Sequence, residues 1–238
     1  MLQNKLSILF LLIFIISFSF AASAQKEELR QEIYAYYPLD GNTIDQGPNQ
    51  LHGKQINKER STEDRFGKSG KALSFTGKND FITLPVNINP EIIPQLTIAF
   101  WLKVETADEI NTIISNNVGG FARTIVIDGR KNYPFLSIIA GDKQKLYGTI
   151  NIPQNQWFFT AVSWNAENGN ISIYLIDQNN NFRVISTNNI KPDKGKDFIT
   201  LGKNNSTGAV FRGSIDQLMI WDKILTGDEI KKLANKSY

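Results

Sequence analysis

The sequence predicts an all-β protein, a two-sheet antiparallel sandwich closed by one short C-terminal helix. From Ile33 onward, short runs rich in Ile, Val, Phe, Tyr and Thr alternate with Gly, Asn, Asp and Pro, the pattern of strands joined by turns. Several runs alternate apolar and polar residues with period two, so one face of each must be core. Helix signals gather convincingly at one place, near the C-terminus.

Ahead of these elements, residues 1–25 read as a secretory leader. Lys5 supplies the cationic start, an apolar run extends from Leu6 to Phe20, and Ala22-Ser23-Ala24 is a small-residue cleavage signal. The run falls short of the ~20 apolar residues that span a bilayer. The expectation is a signal peptide over 1–24 cleaved after Ala24, a lead-in over 25–32 and one domain over 33–238. The mature chain is then secreted or periplasmic and has no transmembrane segment.

Candidate strands follow at 33–38, 72–75, 81–84, 96–104, 112–115, 124–127, 135–140, 145–150, 157–164, 171–176, 182–187, 198–201 and 211–221. In the clearest, every even position from Leu96 to Val104 is large and apolar. The runs 157–164 and 171–176 flank the turn Asn168-Gly169-Asn170 and form a hairpin. The last strand breaks phase, because Ile215 cannot share a face with Leu218 and Ile220 under strict alternation; a bulge near Asp216 reconciles them. Thr226-Gly227-Asp228-Glu229 is a capping box leading into Ile230 and Leu233, the closing helix.

Composition removes whole classes of function. Lys plus Arg number 26 against 23 Asp plus Glu, a formal charge of +3, and the two signs are interspersed. No basic face for a phosphate backbone is expected, so nucleic acid is set aside as a partner. The chain has no Cys, which excludes disulfides, thiolate metal sites and a Cys nucleophile. Its single histidine, His52, rules out a cage of several imidazoles.

Five segments, in this order, resemble the laminin G-like jelly-roll domains of the concanavalin A-like lectin/glucanase superfamily, in the form found in secreted bacterial proteins. They are Tyr37-Pro38-Leu39-Asp40-Gly41-Asn42 with Asp45, Gly47, Asn49 and His52-Gly53; Gly70-Lys71-Ala72-Leu73-Ser74-Phe75; Leu96 through Lys103; Trp157 through Trp164; and Phe211-Arg212-Gly213-Ser214-Ile215-Asp216 through Trp221 with Leu225-Thr226. The resemblance implies an antiparallel jelly roll. It says little about ligand, since such sandwiches host lectins, glycosidases, lyases and adhesion modules.

The resemblance also implies a structural Ca2+ held by Asp40, Asn42, Gly53 and Asp216. Calcium takes six to eight hard oxygens, which an Asp-Gly-Asn loop can supply together with a carboxylate from the neighbouring last strand. The competing reading makes Asp40-Gly41-Asn42 a plain turn and Asp216 a hydrogen-bonding residue at the bulge. His52 lies beside no recognisable nucleophile motif and reads as structural.

Glycoside cleavage needs two carboxylates across the scissile bond. The superfamily's glucanases set theirs along one strand as E-x-D-x-x-E, and no such strand exists here; Glu105, Asp108 and Glu109 follow a strand end instead. The lyases' Arg-rich and Gln-x-His strands are missing too. A lectin-like site would draw on Trp101 and Tyr174, each on the off-core face of its strand, with Asn116, Asn117, Phe121, Arg123, Arg130 and Tyr133 from the central stretch; alternatively Trp101 and Tyr174 pack under a loop. The leading expectation is therefore a secreted, non-catalytic domain that binds a glycan or a cell-envelope protein. The alternatives are a divergent glycoside hydrolase or polysaccharide lyase, and a structural or adhesion protein of the envelope.

Overall fold

β-Branched and aromatic residues fill the runs between turn residues, and these runs extend as strands. The computed structural model describes residues 32–55, 60–78, 80–116, 122–130, 134–140, 146–191 and 194–235. Its strands are β1 (Ala35–Tyr37), β2 (Lys54–Gln55), β3 (Ser61–Thr62), β4 (Ala72–Thr76), β5 (Ile82–Leu84), β6 (Gln95–Val104), β7 (Ile110–Ser115) and β8 (Thr124–Asp128). They continue as β9 (Phe135–Ile139), β10 (Leu146–Asn151), β11 (Trp157–Asn165), β12 (Asn170–Ile176), β13 (Phe182–Thr187), β14 (Ile199–Leu201) and β15 (Arg212–Trp221), and the described helix is α1 (Gly227–Ala234). Every strand expected from the sequence forms. Only β2 and β3 were not foreseen, because two residues carry no periodicity.

One sheet runs β13-β12-β11-β6-β15-β4-β3, with β1 also paired to β15; the other runs β10-β9-β8-β7-β14-β5-β2. All pairings are antiparallel, which confirms the two-sheet sandwich. The even-numbered residues of β6, Leu96 to Val104, share one buried core with Ile125 and Ile127 of β8 and Leu136 and Ile138 of β9. Burying such side chains is worth about 1.5–3 kcal/mol each.

The phase break in β15 is a bulge. Its register with β6 shifts between Asp216 and Met219, and Gln217 adopts φ 53 there. The extra residue lets Ile215, Leu218 and Ile220 all join the core, while Asp216 stands opposite Trp101 on the other face. After β15, Thr97 Oγ1 donates to Lys223 O (2.7 Å) and accepts from Leu225 N (3.0 Å), tying the departing chain to β6. α1 then starts on the expected capping box, with Thr226 accepting from Glu229 N and Glu229 accepting from Thr226 N. Ile230, Leu233 and Ala234 are its buried side. These strands and α1 belong to one compact unit, Tyr34–Tyr238.

Arg123 fastens the long connection between β5 and β6 to the start of β8. It is 1% exposed, and its guanidinium donates to Ile88 O (2.8 Å), Ile93 O (2.6 Å) and Pro94 O (3.1 Å). Desolvation by burial lowers its pKa to about 10. Replacing Arg123 with Met leaves three carbonyls without their donor and is expected to cost roughly 3 kcal/mol in urea unfolding. A loss below about 1 kcal/mol would contradict this role.

Candidate functional site

The chain leaving β1 folds into a loop organised by one carboxylate. Asp45 is fully buried; its Oδ1 accepts from Tyr36 N (2.8 Å) and Gly47 N (2.7 Å), and its Oδ2 from Leu51 N (2.7 Å). His52 Nδ1 accepts from Asp45 N at 3.2 Å, a structural use of the lone imidazole. Asn42 is spent on its own turn, with Oδ1 taking Ile44 N (3.0 Å) and Nδ2 reaching Asp40 O (3.1 Å). Gly53 exchanges bonds with Thr43: Gly53 N donates to Thr43 O at 2.8 Å, and Thr43 Oγ1 donates to Gly53 O at 3.0 Å. A Cβ on Gly53 would lie 2.5 Å from Leu84 Cδ2, so only glycine permits this approach.

The two aspartates of the expected calcium set each hold a cation of the chain. Asp40 Oδ2 accepts from Lys71 Nζ at 2.7 Å, both side chains being partly exposed. Asp216 Oδ2 accepts from Arg65 at 2.9 Å, both side chains being almost fully buried. The Arg65 guanidinium lies 4.4 Å from the ring centroids of both Trp101 and Phe66, a geometry that favours cation–π attraction. Burial pushes the Asp216 carboxyl up to about 7, with Arg65 pulling the other way and Asp64 and Asp40 adding repulsion. One oxygen of each aspartate, the Asn42 side-chain oxygen and the Gly53 carbonyl already accept hydrogen bonds, so Asp40, Asn42, Gly53 and Asp216 as arranged do not form an open calcium cage. Among the described residues, no group of three His, Asp or Glu side chains is arranged to hold a metal ion.

Of the described residues expected to read a ligand, Asn116 and Arg123 flank the paired Ser115 and Thr124 of one sheet, Trp101 and Tyr174 lie in the other sheet, and Arg130 lines a separate cleft. Trp101 lies under Arg65, 9% exposed, with its ring edge against Phe159 at 5.3 Å. Tyr174 is half-buried two strands away, 6.1 Å from Phe182. Asn116 sits at the end of β7, 1% exposed; its carbonyl accepts from Lys196 N at 2.7 Å, and its side-chain amide has no partner. Arg123 is occupied by the backbone carbonyls described above. Asn117, Phe121 and Tyr133 lie outside the described residues.

A different site forms where β4, β6, β8 and β14 end and β7 and β15 begin. A cleft of about 1090 Å³ opens there, lined by Thr106, Asp108 and Glu109 after β6, by Ile110, Asn111 and Thr112 of β7, by Arg130, and by residues of the 204–210 loop with Arg212. Gly129 seats the acidic turn. Its N donates to Glu109 O at 2.9 Å, and a Cβ there would fall 1.8 Å from Ala107 O. Asn204 shapes the opposite wall, its Oδ1 accepting from Ser206 N (2.9 Å) and Thr207 N (3.2 Å).

The charges of the cleft are unevenly matched. Arg130 is clamped by Asp128 through two side-chain bonds of 2.9 and 3.0 Å, and Arg212 lies 3.8 Å from Glu105. Asp108 and Glu109 are exposed, and neither has an ion-pair partner among the described residues. Sequence reasoning reached only Arg130 of this site, and grouped it with residues that lie elsewhere. Asp108, Glu109 and Arg212 are ordinary loop and strand-edge residues until loops far apart in the chain meet, and the one available signal was Asp-Glu directly after a strand facing Gly-Arg after another.

Comparison with known proteins places the chain. A laminin G family model described as Concanavalin A-like lectin/glucanases superfamily matches residues 76–231. Neuronal pentraxin-1 of Rattus norvegicus is 25% identical over 193 residues, 79% of this chain, which spans only 44% of that relative's length. Among solved structures, domain 4 of AbnA, a GH43 extracellular arabinanase from Geobacillus stearothermophilus in complex with arabinotriose, superposes with TM-score 0.62 at 21% identity, covering 86% of this chain and 98% of that one. The binding domain of botulinum neurotoxin DC in complex with SialylT gives 0.62 at 16% identity, covering 87% and 52%.

The Arg65–Asp216 pair makes a sharp expectation. Arg65→Ala strands a buried carboxylate and should cost about 3–5 kcal/mol. Adding Asp216→Ala should recover part of that loss; a double variant no more stable than the single one would show that the pair is not coupled.

Proposed function

Because the chain belongs to the concanavalin A-like lectin/glucanase superfamily, as a laminin G-like domain, we propose that it is a secreted or periplasmic, non-catalytic module that binds carbohydrate. The observation that carries this reading is the cleft at the start of β7 and β15. Alongside apolar groups such as Ile110, Ile139 and Val210, its walls present hydroxyls, amides, carboxylates and guanidinia, the groups that pair with sugar hydroxyls. Two solved neighbours support it, having been captured with arabinotriose and with SialylT.

The carboxylates argue against turnover. A glycosidase's general acid is raised by an apolar, buried setting, whereas Asp108 and Glu109 are exposed neighbours on one turn. Asp216 is raised to about 7, but it is 2% exposed and closed off by Arg65. The leader over 1–24 supports export. Calcium at Asp40 and Asp216 would have to displace Lys71 and Arg65, so the proposal gives those two side chains the task of pinning the first and last strands.

The test uses the chain expressed with its leader and purified after export. Its intact mass is expected to begin at Gln25. On a glycan array it should bind selectively, equally in calcium and in chelator, and release no product from the bound polysaccharide. Its melting temperature should match in the two conditions. A melting temperature several degrees lower in chelator would return calcium to the Asp40–Asp216 corner. No glycan binding by folded protein, with capture of an envelope protein instead, would replace the carbohydrate reading with a protein-interaction one.

A further inference from the structure

The cleft shows a preference as well as a place. Resting on the carbohydrate reading above, we propose that it takes an uncharged oligosaccharide and discriminates against acidic ones, with Thr112 as a hydroxyl reader and Asp108 and Glu109 as acceptors.

Thr112 supplies the first observation. It lines the cleft and is 1% exposed, yet its Oγ1 has no hydrogen-bond partner. A buried hydroxyl without a partner is costly, and a ligand hydroxyl would supply what the chain does not. Ser137 stands on the same face, in register through Val126, and its Oγ is also buried and unpartnered.

Charge is the second, independent observation. The guanidinium of Arg130 is taken by Asp128, and that of Arg212 faces Glu105. Among the described residues that line the cleft, the carboxylates without an ion-pair partner are Asp108 and Glu109, so the unpaired charge of these residues is negative. A uronate or sulfate entering it would meet the carboxylates of Asp108 and Glu109 and find Arg130 held by Asp128 and Arg212 facing Glu105, and like-charge juxtaposition is a standard means of rejection. A neutral sugar brings hydroxyl donors, which exposed carboxylates accept well.

Size and lining set the ligand's length. No aromatic ring lines the cleft among the described residues, so binding energy must come from hydrogen bonds spread over several sugar units. A volume of about 1090 Å³ lies at the top of the range for small-ligand pockets and accommodates a short chain of sugars.

The experiment is isothermal titration of the exported chain with arabino-, xylo- and cello-hexaose, and with oligogalacturonate and a sulfated heparin hexasaccharide. At least one neutral hexaose should bind at least tenfold more tightly than either acidic ligand. Thr112→Val removes the unpartnered hydroxyl at constant shape; it should leave the melting temperature equal or higher while weakening neutral binding about tenfold. Asp108→Asn with Glu109→Gln, both at exposed positions, should narrow the gap between neutral and acidic ligands.

Tighter binding of an acidic ligand would overturn the inference. Neutral binding undiminished in Thr112→Val and in the double variant would overturn the cleft assignment while leaving the carbohydrate reading intact. No binding to any glycan would take down both.

Discussion

Everything in this fold depends on how β15 is paired. One edge of this last strand runs along β6, and the other holds β4 at its beginning and β1 at its end. Nine of its ten residues are buried. The sheet therefore cannot be assembled without β15, and the first and last strands are tied by backbone bonds. Such pairing between distant segments is slow to find and strongly cooperative once made.

The same strand dictates where polar groups can go. Its bulge keeps Ile215, Leu218 and Ile220 in the core while directing Asp216 to the opposite face. A carboxylate that far out of water must find a counter-charge or give up its own, and Arg65 comes to it from a loop 151 residues away in sequence. The Arg65 guanidinium lies 4.4 Å from the ring centroids of both Trp101 and Phe66, a setting that suits arginine better than lysine. Buried pairs of this kind add less to stability than to uniqueness, since losing either partner leaves the other stranded.

The cleft follows from loop lengths at one end of the sandwich. A rigid sandwich holds short turns at fixed positions, and here the turn after β6, the turn after β8 and the 204–210 loop are held around a common space. Gly129 allows the first two to touch. Asp128 pairs with Arg130 at the edge of the space, and Asp108, Glu109, Arg212 and the 204–210 loop complete its rim.

Most of the fold was legible in the sequence because its signals are local. The even-numbered residues of β6, the turn at Asn168-Gly169-Asn170 and the Thr226 capping box are each decided by neighbours within a few residues, and each appears as expected. The bulge could be inferred as well, since a phase break is visible along one strand. The sites were a different matter. Asp40 and Asp216 were expected beside a metal ion, and it is the fold that brings Lys71 and Arg65 to them; Arg123 was expected to read a ligand and instead holds three buried carbonyls. Of the cleft, only Arg130 was singled out along the chain as a ligand reader, because its other walls come from loops far apart in sequence. Alternation of apolar residues by itself determined the sheets, since burial depends on side-chain period; which charge faces which was decided only by tertiary structure, because Coulomb and hydrogen-bond partners are set by distance in space and not along the chain.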